Sequence, residues 1–442
     1  MQMELKSPAE GRFYLPAEET LDSAALAALQ RRKLAALLEQ VRAGNAFYQQ
    51  KLNGVSFDPL RDPLDRLPLT TRAELEADQT AHPPYGRNLT YPLDQYTRLH
   101  QTSGTGGRPM RWLDTRQSWE WFARCWGIIL TSSGVTSSDR VLFAFSFGPF
   151  VGFWGAFEGA CALGTLCLPA GGMSTVARLR MLLENQATVV CCTPTYALRM
   201  AEVAAEEKID LPGSSVRLLI VAGEPGGSIP ETRRRIESAW GARLIDHTGM
   251  TEMGAVGFEC LPRPGQGVHV IESEYIPEVI DPTTQKSLPD GATGELVLTN
   301  LGRWGSPLIR YRTGDQVRLT RSRCECGRCF ARLEGGILGR VDDMFVVRGN
   351  NVFPTAVEAV LRRFSELNEF RLTVHEDGPL TQVLLEIEPM PDVQSHAQLC
   401  DRVGQALHQS LSFRAQVVAV PAGSLPRFEL KAHRFIRKRS TG

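Results

Sequence analysis

Residues 216–252 read VRLLIVAGEPGGSIPETRRRIESAWGARLIDHTGMTE. The stretch divides into an apolar run closed by Gly-Glu-Pro, a helix over 230–239, and a second apolar run ending in small and hydroxylated residues. Two runs upstream repeat the pattern. GTLCLPAG at 164–171 and ATVVCCTP at 187–194 are each closed by Gly or Pro, with an Arg- and Leu-bearing helix over 177–186 between them. Strands alternating with helices at this spacing argue for a mainly parallel sheet with helices on its faces. Ligands of such sheets bind beyond the carboxyl ends of the strands. AGEP at 222–225 and DHTGMTE at 246–252 fall there.

Outward from this unit the texture changes. Towards the N-terminus, Leu21, Leu26, Leu29, Leu34, Leu37, Leu38 and Val41 recur mostly at three- to five-residue spacings, which predicts a helix over 20–52. A Pro-rich connector at 57–70 leads to the loop LHQTSGTGGRPMRW at 99–112. An aromatic-rich helix over 116–135, the strand-like RVLFAFSF at 140–147 and a helical GPFVGFWGAFEGACALG at 148–164 follow. After 265, GVHVIESEYIPEVID, GELVLTNL and LIRYRTGDQVRLT alternate apolar and polar residues, with PDG as a turn between the first two. From 340 to 442, short strands around MFVVRG and TQVLLEIEP accompany helices over 354–364 and 394–409. The fold class is therefore α/β. A large domain, 1–339, combines mainly parallel sheets flanked by helices with a β-rich subdomain, and a small α+β domain occupies 340–442.

The 442-residue chain carries 49 basic and 49 acidic side chains, so no net field draws it to nucleic acid or to a membrane. No run reaches the roughly 18 consecutive apolar residues of a spanning helix. The opening MQMELKSPAEGRFYLPAEE lacks the apolar core of a secretory signal. Only Cys324, Cys326 and Cys329 cluster among the ten cysteines, most of the others lying in apolar segments. That distribution suits reduced thiols in the cytoplasm better than a disulfide framework.

The loop at 99–112 carries the first chemistry. Glycine lets backbone N–H groups converge on phosphate oxygens, and Thr102, Ser103, Thr105 and Arg108 add donors. A Walker loop would end in Gly-Lys-Ser/Thr, whereas Gly107 precedes Arg108–Pro109. Taken alone, the loop is equally a plain turn between two strands. Four stretches follow it in order: AGEP, TGMTE at 248–252, YRTGD at 311–315 and GRVDDMFVVRGNNVFP at 339–354, with Lys431 in ELKAHR beyond them. This series resembles the signature stretches of the adenylate-forming enzymes (acyl-CoA synthetases, peptide-synthetase adenylation domains and luciferases). Within them it is most similar to the phenylacetate-CoA ligase branch, which LQRRKLAALLEQVRAGNAFY at 29–48, LPLTTRAEL at 67–75 and FPTAVE at 353–358 also resemble.

The resemblance implies that ATP activates a carboxylic acid as an acyl-adenylate, with pyrophosphate leaving, before the acyl group passes to a thiol. It implies β- and γ-phosphates at Thr102, Ser103, Gly104, Thr105, Gly106 and Arg108, and adenine beside Gly223, Glu224 and Pro225. Thr251 would touch the α-phosphate, Glu252 would hold Mg²⁺, Asp315 would accept both ribose hydroxyls, and Arg340 would reach ribose or phosphate. Lys431 would bridge the incoming carboxylate and the α-phosphate. Asp342 takes the hinge position about which the small domain swings, and Gly349 would line the thiol channel. Thr248 stands where the family has an adenine-stacking Tyr, so either the neighbouring His247 substitutes or adenine stacks elsewhere. The acyl pocket would be walled by Phe147, Phe150, Phe153 and Ala222, which suits an aromatic acid. Coenzyme A is the implied acceptor, with a carrier-protein phosphopantetheine thiol or an amine as alternatives, and a homodimer is the family expectation.

CECGRC at 324–329 puts three thiols on one turn, from which they can converge on an ion. Zinc takes four ligands, so a distant partner is needed. Cys260 and His269 are spaced like the matching positions of zinc-bearing phenylacetate-CoA ligase relatives. The implied closed site is Cys260, His269, Cys324 and Cys326, with Cys329 spare or replacing His269; free surface thiols are the plain alternative. Two readings lie outside ligase chemistry: a non-catalytic zinc-containing binding protein whose basic tail meets nucleic acid, and a silent nucleotide sensor. Neutral charge and the lack of interleaved basic and aromatic patches weigh against the first.

Overall fold

The computed structural model of the protein describes residues 13–102, 109–152, 154–347, 350–376, 381–428 and 432–438. The leucine-rich N-terminal segment forms two helices, Ser23–Gly44 and Ala46–Lys51, rather than one. Asn45 divides them because its backbone is extended and its side chain caps the second helix, accepting from the Tyr48 N–H. The same buried amide donates to Asn88 Oδ1 at 3.0 Å and Thr90 Oγ1 at 3.1 Å. A Cβ on Gly44 would lie 2.1 Å from the Thr90 carbonyl oxygen, so this approach requires glycine.

Strands β1 (Tyr96–Gln101) and β2 (Arg111–Thr115) pair antiparallel on either side of the glycine-rich loop. Five strands then form a parallel block: β3 (Arg140–Phe143), β4 (Leu166–Pro169), β5 (Val189–Cys192), β6 (Leu218–Val221) and β7 (Arg243–Met250). Their spatial order is β4-β3-β5-β6-β7. Helices Trp154–Leu163, Thr175–Glu184, Pro194–Glu206 and Pro230–Trp240 connect them, and Arg116–Ser132 precedes them. β5 and β6 are wholly buried, which is why they read as unbroken apolar runs. Thr115, Ser174 and Thr193 cap their helices by accepting the N–H three residues on.

At β7 the sheet changes character. Its first half pairs parallel with β6, Val221 opposite Asp246, and its second half pairs antiparallel with β8 (Gly254–Phe258), Phe258 opposite His247. Beyond β8 come β9 (Val268–Val270), β10 (Tyr275–Ile280), β11 (Thr293–Asn300), β12 (Tyr311–Thr320) and β13 (Arg332–Leu333). They extend the path antiparallel in the order β8-β9-β13-β12-β11-β10, so the parallel block and the β-rich part share one run of strands.

Past β14 (Gly339–Arg340), which pairs with β12, the chain builds a second core. A hairpin of β15 (Phe345–Val347) and β16 (Asn350–Val352) precedes β17 (Leu367–His375), β18 (Gln382–Pro389), β19 (Gln416–Ala419) and β20 (Phe435–Lys438). The last four form a sheet in the order β19-β18-β17-β20. Helices Pro354–Leu361 and His396–Leu411 bury Val357, Leu361, Leu399 and Val403 with Leu372, Leu385 and Ile387 of the sheet. Among the described residues no helix is long and apolar enough to cross a membrane.

Candidate active site

AGEP and DHTGMTE begin side by side at the carboxyl ends of β6 and the parallel half of β7. Gly223 has φ +95°, a backbone that glycine adopts without penalty. The Glu224 carboxylate accepts from the Thr195 N–H at 2.8 Å and from the Ala432 N–H at 2.7 Å. Burial pushes its pKa up against those hydrogen bonds. The side chain is thus taken up by protein donors, and Gly223–Pro225 have their backbone to offer a nucleotide. Opposite lies Asp246, which sequence reasoning does not single out. Its carboxylate accepts from Ser228 Oγ, and burial pushes its pKa up to about 6.

Thr251 and Glu252 follow β7 in a turn, and both carbonyls accept from Arg303 Nη1, at 2.9 and 2.7 Å. The Arg303 guanidinium is buried over the rings of Trp112 and Phe122. It also makes a two-point pair with Asp114 of β2, Nε to Oδ1 at 2.7 Å and Nη2 to Oδ2 at 2.8 Å. Burial would raise the Asp114 pKa, but the Arg303 charge and hydrogen bonds hold it below its ordinary value. This pair ties the strand leaving the glycine-rich loop to the TGMTE turn. Its one sequence signal is an arginine set among the small residues of LGRWGSP, at 301–307.

At the base of the loop, the Thr102 N–H donates to the Met110 carbonyl and the Met110 N–H donates to Thr102 Oγ1, both at 3.0 Å. Asp315 on β12 is 6 % exposed and faces Arg340 on β14, whose Nη1 donates to Oδ1 at 3.1 Å. Burial would lower the Arg340 pKa, but the carboxylates of Asp315, Asp342, Asp343 and Glu252 around it raise it. Glu252 Oε1 also accepts from Tyr311 Oη at 3.2 Å. Glu252 and Asp315, 63 positions apart in sequence, are therefore both tied to β12, the first through Tyr311 and the second as one of its own residues. Asp342 stands exposed in the turn after β14, and its carbonyl accepts from Arg437 Nη1 of β20 at 3.0 Å. The expectations for Ser103, Gly104, Thr105, Gly106, Arg108, Phe153, Gly349 and Lys431 lie outside the described residues.

Two expectations change. His247 is not available to stack on adenine: its ring is 6 % exposed, donates from Nδ1 to the Gly257 carbonyl at 2.7 Å, and lies 4.4 Å from the Trp126 ring. Strand alternation turns it into the core while Thr248 stays half-buried. Burial brings its pKa down to about 4. Phe150, expected in the acyl wall, is 41 % exposed, because it lies in the irregular segment after β3. Phe147 does join a ring cluster, 4.5 Å from Phe145, 4.7 Å from Trp154 and 5.6 Å from Phe157. Both Phe147 and Ala222 pack half-buried against the larger core.

The cysteine expectation has a definite geometry. The ligand atoms of Cys260, His269, Cys324 and Cys326 all lie within 4.8 Å of one another, and Cys329 is not in the group. Cys260 Sγ lies 3.7 Å from Cys324 Sγ, and Cys326 Sγ lies 3.7 Å from His269 Nε2. Tetrahedral zinc with Zn–S near 2.3 Å separates its sulfur ligands by about 3.8 Å. His269 Nδ1 donates to the Phe330 carbonyl at 2.9 Å, which leaves Nε2 free to ligate. The donor set fits a closed zinc site.

A family model for AMP-binding enzymes matches residues 27–302, and one for the AMP-binding enzyme C-terminal domain matches 349–439. The chain is 31 % identical to a phenylacetate-coenzyme A ligase of Thermus thermophilus over 94 % of its own length and 97 % of that protein's. It is 30 % identical to a solved 2-hydroxyisobutyryl-CoA ligase in the postadenylation state with 2-HIB-AMP, with a TM-score of 0.90, covering 99 % of this chain and 95 % of that one. Against the same ligase with 2-HIB-AMP and CoA in the thioesterification state, the identity is 30 % and the TM-score falls to 0.73, over 100 % and 95 % of the two chains.

Proposed function

The chain belongs to the AMP-binding enzyme family, and from that premise we propose that it activates a carboxylic acid with ATP and passes the acyl group to coenzyme A. The observation that carries this reading is the meeting on β12 of Asp315, paired with Arg340, and of Tyr311, which donates to Glu252, beside the strand ends that bear AGEP and TGMTE.

In the first half-reaction a carboxylate oxygen attacks the α-phosphorus and pyrophosphate leaves. Charge grows on phosphoryl oxygens, so the protein acts by positioning and electrostatics. Thr102 and the following residues to Arg108 hold the β- and γ-phosphates. Asp315, oriented by Arg340, accepts the ribose hydroxyls, and Thr251 donates to the α-phosphate. Glu252 would hold Mg²⁺, which supplies positive charge to the phosphates. Lys431 brings the ammonium that bridges the two reacting groups.

In the second half-reaction the thiol attacks the acyl carbonyl and AMP leaves. We take 1–339 and 340–442 as the two moving parts, with Asp342 as the hinge and Gly349 in the channel. The higher overlap with the postadenylation form supports reading the present arrangement as the adenylation pose. The rings about Phe147 support an aromatic acid. Cys260, His269, Cys324 and Cys326 would hold Zn²⁺, which supplies a crosslink among strands rather than a reactive position. Buried thiols such as Cys125, Cys191 and Cys192 fit the reducing cytoplasm.

Carboxylate-dependent ATP–pyrophosphate exchange over a panel of aromatic and aliphatic acids tests the proposal. Exchange with an aryl acid, followed by one AMP per CoA thioester, is expected. No exchange with any acid overturns the activity. Exchange with aliphatic acids alone overturns the aromatic substrate, and acyl transfer to a carrier protein but not to CoA overturns the acceptor.

A further inference from the structure

Glu224 joins two distant parts of the chain. Its Oε1 accepts from the Thr195 N–H at the start of helix Pro194–Glu206, and its Oε2 accepts from the Ala432 N–H, 208 residues later. Arg434, two residues beyond Ala432, is buried and makes a two-point pair with Glu369 of β17, at 2.6 and 2.9 Å. Its remaining Nη1 donates to Thr195 Oγ1 at 3.1 Å. Thr195 thus gives its N–H to Glu224 and accepts from Arg434 with its hydroxyl, while Glu224 closes the ring on Ala432. Both connections cross from the large part, at Glu224 in the loop after β6 and Thr195 at the start of a helix, to the segment leading into β20.

We propose that Glu224 is a positioning residue that docks the backbone of Ala432, the residue after Lys431 in sequence, against the strand end bearing AGEP in the adenylation pose. The inference rests on the proposed two-step activity for its consequence, though not for its geometry. A charge-assisted hydrogen bond made in one pose and lost in the other biases the equilibrium by its own free energy. A rotation that carries Ala432 away hands Oε2 to water, and Arg434 must release Thr195 in the same movement. The carboxylate therefore acts through the segment it holds, not on the reacting atoms.

Glu224→Gln separates this role from bulk and fold. The amide keeps the shape, but whichever way it turns it sets an NH₂ group against one of two N–H donors. Hydrogen–deuterium exchange of the substrate-free full chain is the first readout. The peptide containing Ala432 exchanges at least tenfold faster in the variant, while peptides from β5, β6 and β7 keep their rates. Unchanged protection at Ala432, or a general loss across the large sheet, overturns the proposal. The second readout compares the half-reactions. Pyrophosphate exchange falls about tenfold in kcat with little change in the KM for ATP, and thioester formation from supplied acyl-adenylate falls far less. Equal losses in both half-reactions, or none in the first, overturn it. Wild-type protein that turns over no acid overturns the proposed activity instead, and the exchange of Ala432 still decides the docking role.

Discussion

A single guanidinium, that of Arg303, holds the Thr251–Glu252 turn against the strand leaving the glycine-rich loop. No motif announces it, because its partner Asp114 stands 189 positions away and pairing at that distance leaves no local pattern. Asp315 and Glu252 stand out in sequence for the opposite reason: TGD and TGMTE are short local stretches that resemble the family's signature stretches. Lys431 belongs with them. An ammonium aimed at charge that develops in the transition state is worth about 10²–10³ in rate. Lys431→Ala is therefore expected to lose pyrophosphate exchange by about that factor while still forming thioester from supplied acyl-adenylate. Equal exchange rates in variant and wild type would remove the residue from the mechanism.

Among elements, the alternating strands and helices of 140–250 are legible because periodicity and closing Gly or Pro residues are local signals. The break at Asn45 is not, since a leucine pattern runs through it and the cause is a buried amide reaching Asn88 and Thr90. His247 is a similar case. Its neighbour Thr248 invites it into the nucleotide site, but strand alternation turns it to Trp126. Cys260, His269, Cys324 and Cys326, proposed above to hold zinc, bring together the segment after β8, β9 and the segment before β13. Cys324→Ser is expected to abolish near-stoichiometric zinc in purified protein and to lower the melting temperature, on the order of 10 °C. Elemental analysis alongside a thermal melt checks it, and wild-type protein free of zinc would dismiss the site.

For the whole molecule, burial of His247 has a pH signature. The ring is neutral in the fold with a pKa of about 4, whereas the unfolded chain takes up the proton near 6.5. Its stabilising contribution is complete above pH 6.5 and is lost as pH falls towards 4, by up to about 3 kcal/mol. Urea denaturation across that interval should show the decline, and His247→Gln should flatten its slope; an unaltered slope would contradict the assignment. At this scale the two kinds of information also part. The amino-acid order is sufficient for the α/β class and the second core after 340, because both are written in local periodicity and short spacings, and its ordered series of stretches resembles those of the adenylate-forming enzymes. It is silent on the Arg303–Asp114 strut, the inward turn of His247 and the docking of Ala432 on Glu224. Each of these joins residues remote in sequence or chooses between the two faces of one strand, and only packing in three dimensions makes that choice.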